Sequence, residues 1–161
     1  MTVTDICTAA DIAPRTFHRY FASKDDVVAE PVRRMARIVT AFLGTAPPGP
    51  GDTEVLRLAM LELGRFVIGH RDWLTGLRIV VAGSHHLRTA YIGVRPDQEA
   101  EIARLVAARR GGSPDWRLRL HAAATVAAFR VWYEGYFRDA PADPLAHLEE
   151  ILLAVAAPWE K

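Results

Sequence analysis

Thr2-Val3-Thr4-Asp5-Ile6-Cys7-Thr8-Ala9-Ala10-Asp11-Ile12-Ala13-Pro14-Arg15-Thr16-Phe17-His18-Arg19-Tyr20-Phe21-Ala22-Ser23-Lys24-Asp25-Asp26-Val27 is the stretch on which the fold turns. Thr2 and Asp5 stand three apart, the spacing at which a threonine hydroxyl caps a helix start and an acid answers back. Val3, Ile6 and Ala10 recur at helical spacing and predict a first helix over about Val3 to Ala10. Asp11-Ile12-Ala13 interrupts it. Pro14 sits where a first helical residue tolerates a missing N–H. Phe17, Tyr20 and Phe21 then predict a second helix over Pro14 to Phe21, with Arg15, Thr16, His18 and Arg19 on its other faces.

Ser23 to Asp26 is a second capping box, opening a longer helix through Val27, Val28, Met35, Ile38, Val39 and Phe42, with Pro31 inside it as a source of a kink. Gly44 to Gly51 is rich in proline and glycine and reads as an internal boundary. Beyond it, helices are expected over Thr53 to Gly69, Asp72 to Gly83, Arg95 to Arg110, from after Pro114 to about Arg138, and Pro144 to Ala157. The segment from Ser84 to Val94 could extend one of these backwards, although Gly93 and Pro96 argue for a break. No strand is expected. The chain divides into residues 1–43, a helix-turn-helix segment with its connecting helix, a linker at 44–52, and a helical domain at 53–161.

Composition agrees with an all-α protein. Half of the 161 residues are apolar, alanine occurs 26 times and asparagine never. One cysteine, Cys7, leaves no internal disulfide and no cysteine-cluster metal site. No apolar run approaches the roughly 18 residues of a membrane span, and the polar Thr2, Thr4 and Asp5 do not resemble a secretion leader. A cytoplasmic protein with no membrane partner is expected. The formal net charge is only +1, so the whole molecule offers no bulk attraction to nucleic acid. Between Ala13 and Lys24, however, Arg15, His18, Arg19 and Lys24 occur with no acid. A solvated helix face has the same look. So does a local anion contact.

Catalytic signals are poor. There is no nucleophile elbow, phosphate loop, dinucleotide fingerprint or metalloprotease motif. His85 and His86 are adjacent and diverge on a helix, as do Glu149 and Glu150. No enzyme, catalytic residue, metal or cofactor is expected.

Two short helices joined by about three residues, the second exposed and basic, describe a helix-turn-helix whose second helix enters the major groove. Thr2-Val3, Asp5-Ile6, Ala9-Ala10, Thr16 to Phe21 and Ser23-Lys24-Asp25 resemble the DNA-binding segment of the TetR family of bacterial transcriptional regulators. That resemblance implies a recognition helix at Pro14 to Tyr20, with Arg15, Thr16 and His18 facing the groove and Arg19 beside them. Arg15 is the candidate for a bidentate guanine contact. Tyr20, Lys24 and Thr2 would hold phosphates, and Ile12, Phe17, Phe21 and Cys7 would pack the small core. Asp11 replaces the usual turn glycine and Ala13 the usual cap. The family places a further helix before the Thr-Val start, where only Met1 stands here, so the expected head lacks its first helix.

In the resembled family the later helices bind an effector and form a homodimer on double-stranded operator DNA. Phe66, Trp73, Arg78, Tyr91, Phe129, Trp132 and Tyr133 are the expected pocket residues. Arg65, His70, Arg88 and Arg130 add charge suited to an acidic or acyl-CoA-like effector. Ala123, Ala124, Ala127, Leu148, Ile151, Leu152 and Val155 are the expected dimer interface. The function implied is a ligand-released repressor. The alternative is a small-molecule-binding helical dimer whose DNA binding is incomplete or lost.

Overall fold

A computed structural model describes residues 2–9, 11–47, 49–82 and 96–157, and its regular structure among them is entirely helical. α1 (Val3–Ala9) begins with the anticipated reciprocal cap. The Thr2 N–H donates to Asp5 Oδ2 at 2.6 Å and the Asp5 N–H donates to Thr2 Oγ1 at 3.2 Å. Its far end closes by two backbone bonds, from the Ile12 N–H to the Cys7 carbonyl at 3.0 Å and from the Asp11 N–H to the Thr8 carbonyl at 3.3 Å. This is the Schellman pattern, and Asp11 occupies its left-handed position with φ 52°. Aspartate tolerates that conformation better than most side chains, so the turn forms without the usual glycine.

α2 (Pro14–Tyr20) has the bounds anticipated for it. Ala13 supplies no side-chain cap, and Pro14 removes a donor that would otherwise need one. Phe17 and Cys7 are buried between α1 and α2, and the Phe21 ring lies 5.5 Å from Phe17. Ile12, expected in this core, is instead 37% exposed. It follows the left-handed turn, outside both helices, at the rim of their contact.

α3 (Lys24–Thr45) starts where Ser23 Oγ accepts the Asp26 N–H at 3.2 Å. The helix runs through a buried Pro31. Arg33 reaches back to the Asp26 carbonyl at 3.0 Å and its carboxylate at 2.7 Å, bracing the turn in which Pro31 cannot donate. The Arg33 guanidinium, then the Ala22 N–H, hold the Asp26 carboxyl below its ordinary range. Arg37, then Arg33, do the same for Glu30.

The rest is a bundle of α4 (Asp52–Gly69), α5 (Arg71–Ala82), α6 (Pro96–Ala108), α7 (Trp116–Arg138) and α8 (Pro144–Ala156). α4 is its centre and touches α3, α5, α6, α7 and α8. Val55, Leu56, Ala59, Met60, Leu63 and Val67 of α4 share one core with Val39 and Leu43 of α3, Val106 of α6, Trp132 of α7 and Leu148 of α8. Asp115 and Asp143 cap α7 and α8 through the Leu118 and Ala146 N–H groups. The Trp132 Nε1–H donates to the Pro144 carbonyl at 2.8 Å, fixing the turn between those helices.

The Pro/Gly segment does not hold α3 and α4 apart, because the two helices pack against each other. Arg109 donates to the Ala46 carbonyl at 3.1 Å and the Pro47 carbonyl at 2.9 Å, and Arg110 pairs with Asp52 at 2.7 Å. A tail of α6 therefore clamps the turn.

One expectation about α8 is overturned. Leu148 and Leu152 are buried in the chain's own core and are not free to meet a second copy. The reason lies across the interface at Gly64, where a Cβ would collide with Leu148 Cδ2. The missing side chain on α4 is what lets α8 settle with its leucines inward.

Candidate nucleic-acid interface

Phe17 sets the orientation of α2. With its ring buried, Arg15, His18, Arg19 and Tyr20 are exposed and Thr16 is half-buried. Arg15, Thr16, His18 and Arg19 frame one shallow concavity with Ala13 at its edge. The Arg19 guanidinium lies 4.7 Å from the Tyr20 ring centroid and donates to the Tyr20 hydroxyl at 3.1 Å, holding cation and phenol together at the helix end. Lys24 is exposed in the first turn of α3. Thr2 is exposed at the start of α1, its N–H and hydroxyl engaged by Asp5. Five expected residues are thus gathered on α2, while Thr2 and Lys24 stand at the starts of the flanking helices.

A cavity of about 470 Å³ lies among α3, α4, α5, α6 and α7. Of the expected pocket residues, Arg78, Phe129 and Tyr133 line it, and so does Arg130. Phe66 does not. It stacks on His70 at 4.2 Å, beneath the Arg34 guanidinium at 5.3 Å. Trp73 is 44% exposed and meets His70 edge-on. Trp132 is buried in the core, stacked on Tyr136 at 5.3 Å. These three miss the cavity because their helix faces pack elsewhere. Arg65 is paired with Glu62 at 3.0 Å, and His70 Nδ1 bonds the Phe66 carbonyl. Tyr91, Arg88, His85, His86 and the whole stretch from Ser84 to Val94 lie outside the described residues. Among the described residues, no group of three metal-ligating side chains exists and no helix is long and apolar enough to cross a membrane.

Residues 1–30 match a family model described as bacterial regulatory proteins, tetR family. The chain is also 31% identical, over 144 residues, to the HTH-type transcriptional regulator TcmR of Streptomyces glaucescens. Over its first 30 residues the chain is thus similar to the TetR family. The similarity to TcmR covers 82% of this chain and 64% of that protein's length, so the chain spans less than two thirds of the relative it matches.

The α3 residues Val32, Met35, Ala36, Val39 and Thr40 line the cavity and were missed as pocket residues. Their apolar stripe was visible in the sequence but reads as ordinary core. Asp97, Gln98 and Glu101 of α6 also line it. α3 thereby joins the two sites. Its first turn follows α2, and its middle walls the cavity.

The expected dimer residues divide. Ala123, Ala124, Ala127, Ile151 and Val155 are half-buried, while Leu148 and Leu152 are inside. The exposed apolar side chains of α7 are Trp116, Leu120 and Val131, and with Ala124 and Ala127 they follow one helical stripe at spacings of three and four. Leu153 of α8 is 49% exposed.

Proposed function

We propose that the chain is a homodimeric DNA-binding transcriptional regulator, a repressor released from its operator when a small molecule fills the cavity among α3 to α7. The observation that carries this is α2, a seven-residue helix pinned by one buried phenylalanine, with Arg15, His18, Arg19 and Tyr20 all turned outward. That is the geometry in which short side chains near a helix start reach base edges while flanking groups hold phosphates. The description of TcmR as an HTH-type transcriptional regulator supports it. Thr2, Arg15, Thr16, His18, Arg19, Tyr20 and Lys24 form the DNA-facing set, with Arg15 the base reader.

Release follows from α3. A molecule seated against Met35 and Val39 biases the position of α3, and with it the separation of the two α2 helices in a dimer. Two-fold symmetry matches two half-sites a helical turn apart. The stripe Trp116, Leu120, Ala124, Ala127 and Val131, with Leu153, is the face proposed for that dimer. Small residues in its middle permit close approach of two α7 helices, and the larger side chains lie at its ends.

Binding of the full chain to DNA from upstream of its own gene, against scrambled DNA at physiological salt, tests the proposal. A preference of about a thousandfold or more is expected, and equal binding to both sinks it. A second reading, a ligand-binding helical dimer without operator binding, is favoured by one observation. α1 and α2 make their principal contacts with each other and not with the bundle. A dimer in sedimentation that shows no sequence preference would select it.

A further inference from the structure

Pro31 divides α3 into two parts that are held differently. Beyond it, Val39 and Leu43 are buried in the core, and Met35, Ile38 and Phe42 pack against that core. The α3 residues that wall the cavity, from Val32 to Thr40, all belong to this anchored part. Before Pro31, none of the described side chains from Lys24 to Glu30 is buried. That first part carries α2, and neither α1 nor α2 makes more than slight contact with the bundle.

Between the two parts the helix is short of one backbone bond. Pro31 has no N–H, so the Val27 carbonyl does not receive the bond that would come from four residues on. Side chains bridge the gap instead. The Arg33 guanidinium, from the anchored part, reaches the Asp26 carbonyl at 3.0 Å, the Asp26 carboxylate at 2.7 Å and the Glu30 carboxylate at 3.2 Å. Arg37 also donates to Glu30. The other Asp26 oxygen accepts the Ala22 N–H at 3.2 Å, and the Asp26 N–H donates to Ser23 Oγ. One run of hydrogen bonds and ion pairs therefore leads from the turn after α2, through Asp26 and Arg33, to the helix that walls the cavity. Pairs on a half-exposed surface add little to overall stability. Here they span a joint, where resistance to bending is what counts.

We propose that Arg33 is a positioning residue, a splint across Pro31 that keeps α2 at a fixed place relative to the cavity wall. Its use in operator binding rests on the reading of α2 as DNA-facing, whereas the stiffening is measurable without DNA or effector. With the splint gone, α3 bends at Pro31. Neither the separation of two α2 helices nor a displacement of Met35 and Val39 is then carried across.

Pulsed electron paramagnetic resonance between nitroxides at Thr4→Cys in α1 and Glu62→Cys in α4 tests it. The full chain carries Cys7→Ser and is diluted with excess unlabelled chain, so that distances within one chain are read. Arg33→Ala should broaden the distance distribution about twofold. Arg33→Lys, which keeps the charge and loses the fork, should broaden it nearly as much. Pro31→Ala returns the missing backbone bond, so Arg33→Ala in that background should leave the width unchanged. A width unmoved by Arg33→Ala overturns the proposal. Equal broadening with and without Pro31 also overturns it, because Arg33 would then be a general stabiliser. Hydrogen exchange of the chain with native Cys7 reads the same joint without labels. Arg33→Ala should speed exchange over residues 27–33 about fivefold and leave α4 and α7 unchanged; faster exchange throughout overturns the splint. Arg33→Ala should also cut the preference for upstream over scrambled DNA about tenfold, with Pro31→Ala recovering it. If the unaltered chain has no such preference while the widths change as expected, the DNA reading falls and the splint stands. A strong preference with unchanged widths overturns the splint alone.

Discussion

Among the described side chains, α1 and α2 bury only Cys7 and Phe17, whereas α4 alone buries Val55, Leu56, Ala59, Met60, Leu61, Leu63 and Val67. Two side chains of that kind return a few kcal/mol, since full burial of a large apolar residue is worth about 1.5–3 kcal/mol. Ordering a backbone residue costs about 1–2 kcal/mol. The small unit therefore depends on local devices, its reciprocal Thr2–Asp5 cap, its Schellman closure and Pro14 at the start of α2. The bundle depends on packing. A region that must present its polar face to a partner has little apolar surface left with which to hold itself together.

That contrast can be broken by mutation. Trp132→Ala removes a core aromatic and its bond to the Pro144 carbonyl, and should destabilise the bundle by about 4 kcal/mol in denaturant unfolding. Amide exchange in α1 and α2 should change little. Phe17→Ala should do the reverse, costing about 3 kcal/mol locally. It should abolish sequence-preferring DNA binding and speed exchange over residues 3–20 while the bundle's melting temperature holds. If Phe17→Ala lowers the main transition as far as Trp132→Ala does, the two regions are one cooperative unit and the contrast is wrong.

Smaller changes sharpen it. Arg15→Ala should cost about 2 kcal/mol on the preferred sequence and relax base choice. Lys24→Ala should instead weaken all sequences alike and reduce the salt slope by about one, read from binding at several salt concentrations. Ala13→Ser supplies the absent cap of α2 and should stabilise that helix by about 1 kcal/mol, seen as slower amide exchange over residues 14–20.

The smallest expected effect belongs to the bundle. Burial holds the His121 imidazole below its ordinary value, with the Asp52 charge opposing. As pH falls below about 6.5 the unfolded chain takes up the proton first. This contribution to stability is therefore complete above that value and is lost on the acid side. Thermal unfolding of His121→Leu should show a flatter acid slope between neutral and mildly acidic pH.

The helix starts and ends were legible because each carries its own chemistry. Thr2 with Asp5, Pro14, Ser23 and Pro144 are local signals, and α2 starts at the Pro14 read from them. The exposed face of α2 was legible for the same reason, since burying Phe17 leaves Arg15, His18 and Arg19 no alternative. What was not legible is which neighbour an apolar stripe meets. Leu148 and Leu152 have the spacing of a dimer seam, yet both are buried in the chain's own core, Leu148 against the bare Cα of Gly64, more than 80 residues away. The cavity shows the same limit, because Met35 and Val39 bear no mark distinguishing a cavity wall from solid core.

The arginine fork at the end of α6 has a consequence for how the chain would meet a protease. Ala46 to Gly51 has the composition of a hinge, the kind of exposed segment at which nicking enzymes open a polypeptide. Cleavage requires the backbone to be drawn out into an enzyme's cleft, and here two carbonyls at the front of the segment are grasped by Arg109 and the carboxylate behind it by Arg110. What looks in composition like the seam of the molecule is stitched shut, and with α1 and α2 so lightly buried, digestion should begin in them.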